Sequence, residues 1–339
     1  MQYTRLGSSG LQVSRLILGC MAFGDPAAGT HAWALGIDEA RPIFCAALDA
    51  GITAFDTANF YSLGESERIV GALLKEAVVR DQVLIATKVF ARMEPGPKGA
   101  GLSRAAIFAQ ADASLRRLGT DYIDLYQIHR LDPETPVEEI MEALHDLVRS
   151  GKVRYIGASS MYAWQFAKAQ YTADLHGWTR FVSMQDQYNL LMREEEREMH
   201  PFALDQGVGI TPWSPLARGA LARDWRTVGD SVRSSSDNSF DAALYRQDKS
   251  SDHAIIDEVG RIAGEHGVNR AQIALAWLLS KPAVTAPNVG VTKPQHLTGA
   301  VAALDITLTA DEIASLEAPY TPRRPEGLQE NRSPSADRS

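Results

Sequence analysis

The chain has 339 residues, which is enough for one large α/β barrel or for two ordinary domains. Its composition, 45% hydrophobic and 22% charged, is typical of globular enzymes, and its net charge of −8 argues against nucleic acid or an anionic membrane as the main partner. Its two cysteines, Cys20 and Cys45, exclude a disulfide framework, and no stretch resembles a signal peptide or a membrane span. We therefore expect a cytoplasmic protein that acts on a small molecule.

The first half of the chain alternates short apolar runs with amphipathic stretches. Two runs on either side of the turn-rich segment 7–10 predict a β-hairpin over residues 2–14. Ser103 supplies a capping hydroxyl for one of the helices that follow, and Gly119 stands where that helix ends. The predicted strands cover 15–19, 52–56, 83–88 and 123–129, and the predicted helices cover 38–50, 65–79 and 103–118.

The second half repeats this alternation. Its predicted strands cover 153–158, 181–185, 208–213 and 285–291. Its predicted helices cover 135–151, 162–175, 194–206, 252–266, 269–280, 294–304 and a final short helix at 310–317. Eight strands with intervening helices indicate a (β/α)8 TIM barrel with an N-terminal β-hairpin and a C-terminal extra helix. A doubly wound sheet is the alternative, but it would carry a G-x-G-x-x-G fingerprint that this sequence lacks.

The pattern predicts one barrel domain over residues 1–318. Residues 319–339 are rich in Arg, Pro, Ser and Glu without apolar periodicity, which predicts a disordered tail. The polar stretch 226–252 is too long for an ordinary connection, so it is a candidate mobile loop over the site.

Three of the predicted strands end at ionisable side chains. Asp56 closes the strand 52–56, Lys88 the strand 83–88 and His129 the strand 123–129, while Tyr61 follows Asp56 by five residues. In a parallel barrel the chemistry lies at the carboxyl ends of the strands, so these side chains are expected to meet there. A lysine cation lowers the pKa of a neighbouring tyrosine, a carboxylate holds the lysine, and a histidine can orient a substrate oxygen. The set predicts a proton-donating site.

Taken singly, each of these residues has a structural interpretation. Asp56 could cap a helix, Lys88 could be a solvated strand end, Tyr61 could pack in a loop, and His129 could bond a backbone carbonyl. Their joint placement at successive strand ends favours the catalytic interpretation. The histidines show no metal-ligand spacing, so we expect no metal site.

The segment Phe55-Asp56-Thr57-Ala58-Asn59-Phe60-Tyr61, together with Thr87-Lys88 and Gln127-Ile128-His129, resembles the aldo-keto reductase superfamily. The resemblance covers residues 1 to about 318. It is strongest to a bacterial branch similar to aryl-alcohol dehydrogenase-like reductases, with a distant link to potassium-channel β subunits. It implies a barrel that binds NADPH without a Rossmann motif. It also implies Tyr61 as acid, Lys88 and Asp56 as the pair that tunes it, and His129 as the residue that orients the substrate.

The resemblance also implies a set of cofactor contacts. Several positions depart from the family pattern. Ser160 stands where Asn is usual, Thr292 where Arg is usual, His296 where Gln or Arg is usual, and Gly299 and Ala300 where Glu-Asn is usual. Lys293 is the one firm cation for a 2′-phosphate, so we expect NADPH with NADH as an additional option. The implied contacts are Cys20, Met21, Asp56, Ser159, Ser160, Gln185, Trp213, Ser214, Leu216, Arg218, Gly219, Gly290, Thr292, Lys293 and His296.

The resulting interpretation is an oxidoreductase that interconverts aldehydes or ketones and alcohols with NADP(H). Two alternatives stay open: a redox-sensing NADPH-binding regulatory subunit, and a Schiff-base barrel enzyme that uses Lys88 as nucleophile. The oligomeric state and the physiological substrate are not predicted by the sequence.

Overall fold

The computed structural model describes residues 1–28, 32–227 and 249–325. Its strands are β1 (Tyr3–Arg5), β2 (Gln12–Ser14), β3 (Ile17–Gly19), β4 (Ala54–Asp56), β5 (Leu84–Val89), β6 (Ile123–Ile128), β7 (Val153–Ser159), β8 (Phe181–Gln185), β9 (Gly209–Ile210) and β10 (Asn288–Gly290). Its α-helices are α1 (Ile37–Asp49), α2 (Glu65–Ala77), α3 (Arg104–Leu118), α4 (Val137–Arg149), α5 (Ala163–His176), α6 (Met199–Gln206), α7 (Lys249–His266), α8 (Arg270–Leu279), α9 (Pro294–Ala302) and α10 (Ala310–Glu317). Most of the predicted loop 226–252 falls on residues 228–248, outside the described ranges.

Eight parallel strands form one sheet in the order β10-β3-β4-β5-β6-β7-β8-β9. Backbone hydrogen bonds connect the two ends of this order: Thr285 N donates to Ile210 O at 2.8 Å, and Asn288 N donates to Pro212 O at 2.8 Å. The sheet is therefore curled on itself with helices outside it, as the (β/α)8 prediction requires. The doubly wound alternative is wrong.

The N-terminal hairpin closes the floor of the barrel. Its strands β1 and β2 pair antiparallel, and Leu6 and Val13 are buried against the apolar interior of the barrel. Gly7 has φ +60°, and a Cβ there would lie 2.3 Å from the carbonyl oxygen of Gly207 and 2.6 Å from the nitrogen of Gly209. Only glycine fits so close to the backbone of 207–209, so Gly7 allows the hairpin turn to pack against the bottom of the sheet.

The helix ends follow the local sequence. The Ser103 hydroxyl accepts a hydrogen bond from Ala106 N and begins α3, and Gly119 ends it with φ +65° in the left-handed region. In α4 the buried residues Ile140, Leu144 and Leu147 recur at helical spacing, which packs one face on the barrel. These features agree with the predicted alternation.

Three predicted elements differ most in extent from the structure. The strands expected at 208–213 and 285–291 shrink to Gly209–Ile210 and Asn288–Gly290, because Pro212 and Pro287 lack an N–H to extend the ladder. The helix expected at 194–206 divides into a 3-10 turn, Glu194–Glu196, and helix α6, which carries a proline in its first turn.

Part of the predicted tail contacts the barrel. The Tyr320 hydroxyl donates to Glu194 Oε1 at 2.7 Å, and Arg323 Nη1 donates to Asp252 Oδ1 at 2.9 Å. These contacts lie beyond residue 318, the predicted end of the barrel domain. Residues 326–339 lie outside the described ranges.

Candidate active site

A buried ion pair lies at the carboxyl ends of two neighbouring strands. Lys88 Nζ is 2.5 Å from Asp56 Oδ2 and donates to Thr57 O at 2.9 Å. Both side chains are almost entirely shielded from solvent. Burial is the largest single influence on the pKa of Lys88 and lowers it, but the charges of Asp56 and Tyr61 and the hydrogen bonds to them together raise the pKa above its ordinary value. The lysine is therefore an ammonium ion at neutral pH.

The second oxygen of Asp56 is held by two amides. Gln127 Nε2, from β6, donates to Asp56 Oδ1 at 3.0 Å, and Gln185 Nε2, from β8, donates to the same oxygen at 2.9 Å. The role of Gln127 was not anticipated from the sequence, although its position two residues before His129 puts it on the same strand end. These bonds orient the carboxylate that faces Lys88.

Tyr61 and His129 complete this group. The Tyr61 hydroxyl accepts a hydrogen bond from Lys88 Nζ at 3.3 Å. The His129 ring meets the Tyr61 ring edge-on, with centroids 5.8 Å apart and an interplanar angle of 83°. Tyr61 begins a 3-10 turn in which Ser62 and Leu63 have φ values of 46° and 52°. The structure thus brings together all four residues that the sequence singled out.

The protonation states are set mainly by burial. Burial raises the pKa of the Tyr61 phenol, and the Lys88 charge offsets this only in part, so the net direction is upward. The expected lowering of the Tyr61 pKa by lysine is therefore wrong as a net effect. For His129, burial first and then the charges of Lys88 and Arg130 put the pKa well below its ordinary value. The imidazole is neutral at neutral pH.

Arg130 is a cation beside this group that the sequence interpretation missed. Its Nη1 donates to His129 O at 2.7 Å, and the side chain is half-buried. Among the described residues it makes no ion pair with a carboxylate. Its charge acts to lower the pKa values of both Tyr61 and His129. The only signal in the sequence was a charged residue directly after His129.

The expected nicotinamide contacts meet at the ends of β7, β8 and β9. Ser159 Oγ donates to Gln185 O at 2.8 Å, and Trp213 Nε1 donates to Ser160 Oγ at 3.0 Å. Ser160 has φ +46°. The serine that replaces the usual asparagine therefore accepts a hydrogen bond that fixes the indole ring of Trp213.

The segment 214–219 has an irregular backbone. Ser214, Ala217, Arg218 and Gly219 have φ values of 57°, 46°, 57° and 97°, and Leu216 between them is half-buried. The three consecutive residues 217–219 are left-handed, and the N–H groups of Ala217 and Gly219 donate within the segment to Ser214 O and Leu216 O.

The remaining expected contacts line the edge between β3 and β10. Gly19 pairs with Gly290, and a Cβ added to Gly290 would meet only Gly19 O, at 4.0 Å, so this edge leaves open space. Beyond it, Thr292 is half-buried, while Lys293 and His296 at the start of α9 are exposed. Burial and then the Lys293 charge lower the pKa of His296, so Lys293 is the cation there.

Cys20 and Met21 lie in the 3-10 turn that follows β3. The Cys20 thiol is fully buried and donates to Leu18 O at 3.4 Å, whereas Met21 is half-buried. Burial raises the pKa of Cys20, which keeps it a neutral thiol.

The described part of the chain holds neither a cluster of metal-ligating side chains nor a membrane-spanning helix. Within residues 1–28, 32–227 and 249–325, no three His, Cys, Asp or Glu side chains are grouped as metal ligands. None of the helices in that part of the chain has the length and apolar character that crossing a bilayer requires.

A parallel barrel that gathers a buried lysine–carboxylate pair, a tyrosine and a histidine at its mouth is the architecture of a barrel oxidoreductase. The model of the Aldo/keto reductase family matches residues 15–320, so the chain belongs to the aldo/keto reductase family.

Its relatives include several fungal proteins. The chain is 47% identical to the versiconal hemiacetal acetate reductase of Aspergillus parasiticus, over 95% of this chain and 98% of the relative. It is 43% identical to a putative aryl-alcohol dehydrogenase of Schizosaccharomyces pombe, over 94% and 96% of the two chains. A putative aryl-alcohol dehydrogenase of Saccharomyces cerevisiae is 41% identical, over 94% and 97%. These relatives support the family, but they give no support to the expected bacterial branch or to the link with potassium-channel β subunits.

Proposed function

We propose that this protein is an NADP(H)-dependent reductase that interconverts aldehydes or ketones and alcohols, with Tyr61 as the proton donor. The observation that carries the proposal is the position of Lys88 Nζ, which is 2.5 Å from Asp56 Oδ2 and 3.3 Å from the Tyr61 hydroxyl. A fixed cation against a phenol stabilises the phenolate that remains once the proton has left.

The residues at the barrel mouth fit a nicotinamide dinucleotide. Ser159 and Gln185 offer polar groups for a carboxamide, and the Trp213 ring, fixed by Ser160, offers a flat face. The segment 214–219 resembles the loop that faces the pyrophosphate in this family, and the open edge at Gly290 leads toward Lys293 and the start of α9. When bound, this cofactor supplies or accepts the hydride.

The protein side chains then handle the proton. In the reductive direction the substrate oxygen lies between the Tyr61 hydroxyl and the neutral His129, which donates a hydrogen bond and orients the carbonyl. Tyr61 transfers its proton to that oxygen, and the Lys88 ammonium holds the resulting phenolate. Asp56, fixed by Gln127 and Gln185, keeps Lys88 in place.

The same geometry argues against the Schiff-base alternative. A lysine nucleophile must be neutral, but the pKa of Lys88 is raised, because Asp56 and Tyr61 together outweigh the effect of burial. Among the described residues nothing favours the regulatory alternative over turnover.

The test is Tyr61→Phe, which keeps the ring and removes the proton donor. NADPH binding, followed by fluorescence, should be retained, while aldehyde reduction, followed by NADPH absorbance, should fall at least ~100-fold. The first substrate screen should include aryl aldehydes, suggested by the aryl-alcohol dehydrogenases, and hemiacetal acetates, suggested by the versiconal hemiacetal acetate reductase. Near-normal turnover by Tyr61→Phe would contradict the proposal.

A further inference from the structure

The first turn of helix α2 carries two polar side chains, Ser66 and Glu67, that are fully buried. The Ser66 hydroxyl donates to Cys20 O at 2.8 Å and lies 2.8 Å from Thr57 Oγ1. Glu67 Oε1 accepts a hydrogen bond from Thr87 Oγ1 at 2.6 Å. The start of α2 is therefore hydrogen-bonded to residues at the carboxyl ends of the neighbouring strands β3, β4 and β5.

The two threonines are neighbours of the buried ion pair. Thr57 follows Asp56 in the chain, and Thr87 precedes Lys88. Lys88 Nζ donates to Thr57 O at 2.9 Å. Side chains alternate between the two faces of a strand, so Lys88 points into the barrel while Thr87 points outward to α2. The helix is thus bonded to the outer face of the strand whose inner face carries the lysine.

Arg117 on helix α3 makes the second contact of Glu67. Its Nε donates to Glu67 Oε2 at 2.5 Å, and its side chain is mostly buried. A Cβ added to Gly64 would lie 2.7 Å from Arg117 Cδ and 2.9 Å from Arg117 Nε. The nitrogen that bonds Glu67 therefore also packs against the last residue of the turn 61–64.

This turn begins with Tyr61 and has a strained backbone. Ser62 and Leu63 have φ values of 46° and 52°, in the left-handed region that is unfavourable for residues other than glycine. Such a backbone persists only where the surrounding structure holds it. Glu67 follows the turn by three residues, so its two contacts hold the end of the turn in place.

We propose that Glu67 is a positioning residue that sets the 3.3 Å distance between the Tyr61 hydroxyl and Lys88 Nζ. One oxygen of its carboxylate accepts from Thr87 on the strand of the lysine, and the other accepts from Arg117 against the turn of the tyrosine. A carboxylate suits this place because both of its oxygens accept hydrogen bonds. This role depends on the proposed function of Tyr61 as proton donor, because Glu67 acts on the reaction only through that residue.

Two substitutions of Thr87 separate the hydrogen bond from packing. Thr87→Val keeps the size of the side chain and removes the hydroxyl, whereas Thr87→Ser keeps the hydroxyl and removes a methyl group. We expect Thr87→Val to lower kcat for aldehyde reduction at least ~10-fold, because a displacement of about 1 Å at a reacting group costs up to ~100-fold. Thr87→Ser should keep most of the activity, and the Kd for NADPH, measured by fluorescence, should stay unchanged in both variants. A Thr87→Ser variant at least as impaired as Thr87→Val would overturn the proposal.

The dependence on Tyr61 gives a second test. A Tyr61→Phe background has no proton donor to position, so adding Thr87→Val should lower the remaining turnover by no more than about twofold. A further tenfold loss would mean that Thr87 supports the site in general, and it would overturn the proposal. Near-normal turnover by Tyr61→Phe would contradict the proposed function itself. An impaired Tyr61→Phe with a fully active Thr87→Val would overturn only the positioning role.

Glu67 itself is tested against a matched control at the other end of β5. Asp124 Oδ2 pairs with Arg80 Nη2 at 2.6 Å and accepts from Ile85 N at 2.9 Å. Glu67→Gln and Asp124→Asn each neutralise a carboxylate that binds an arginine, so both should lower the urea midpoint of unfolding. Only Glu67→Gln should lower kcat, by at least about tenfold at unchanged NADPH affinity. Equal values of kcat in the two variants would overturn the positioning role.

Discussion

The Lys88 ammonium and the Asp56 carboxylate form an ion pair at 2.5 Å that is shielded from solvent. Without the partner charge, burial would drive the lysine toward its neutral form. The pair therefore connects the stability of the barrel mouth with the chemistry proposed for Tyr61, and replacing its two members should have different consequences.

Asp56→Asn should destabilise the fold more than Lys88→Met. The first change leaves a buried cation without a counter-charge, which costs about 3–5 kcal/mol. The second leaves a carboxylate that still accepts hydrogen bonds from Gln127 and Gln185. Activity should follow the opposite order, because lysine acts on the phenol and aspartate acts on lysine. Urea unfolding measures the loss of stability in both variants, and steady-state kinetics measure the loss of activity. If the same variant lost more of both, this division of roles would be contradicted.

The pH dependence of the pair has a definite sign. The pKa of Lys88 is raised in the folded state, so the stability it contributes is present below its ordinary value and is lost as pH rises through the folded pKa. In Asp56→Asn this contribution should disappear, and the alkaline limb of kcat/KM should move to lower pH. An unmoved limb with full activity would mean that Asp56 has no electrostatic role.

His129 should produce no acid limb in the ordinary histidine range. Its pKa is well below the usual value, so the imidazole stays neutral as pH falls through about 6.5. The unfolded chain takes up a proton there and the folded chain does not, so stability should fall as pH decreases below about 6.5. His129→Asn should remove that component of the slope. Denaturation at pH 5.5 and 7.5 checks the sign, and His145→Asn, on helix α4, is a control for histidine loss in general.

Arg130→Gln should lower turnover by up to about tenfold without abolishing it. The arginine charge favours the Tyr61 phenolate and disfavours protonated His129. Without this charge the phenolate is less stable and His129 is more easily protonated. A Lys variant keeps the charge and should retain most of the activity. Equal losses in the Gln and Lys variants would point to packing rather than charge.

Cofactor preference should be modest. A 2′-phosphate is best met by an arginine fork, but this chain offers Thr292 and the point charge of Lys293. We expect NADPH to be favoured over NADH by about tenfold, which corresponds to ~1.4 kcal/mol. Thr292→Arg should increase the ratio of kcat/KM values and Lys293→Ala should reduce it. Lys75→Ala, on helix α2, is the control, and an unchanged ratio in Lys293→Ala would mean that the phosphate is held elsewhere.

Much of the architecture was predictable because its signals are local. Apolar runs that end at Asp56, Lys88 and His129 mark strands whose carboxyl ends must converge in a barrel. The limits of β9 and β10 were less predictable, because the apolar runs continue past prolines that interrupt the backbone ladder.

Other features depend on contacts that no local pattern encodes. The Gln127 and Gln185 amides meet on one carboxylate oxygen although they are 58 residues apart. The direction of the Tyr61 pKa depends on how deeply the phenol is buried, which follows from packing and not from the neighbouring lysine alone. The contact of Trp213 with Ser160 likewise joins two strand ends that the sequence separates by 53 residues.

The pairing of β10 with β3 has a consequence for biosynthesis. Asn288 pairs with Ile17, so the last barrel strand meets the first, and the ring is incomplete until almost the whole barrel has been translated. Until then the nascent sheet has two open edges, at β3 and at β9, which can pair with other chains. We therefore expect a chain that ends before Asn288 to keep both edges open and to be prone to aggregation.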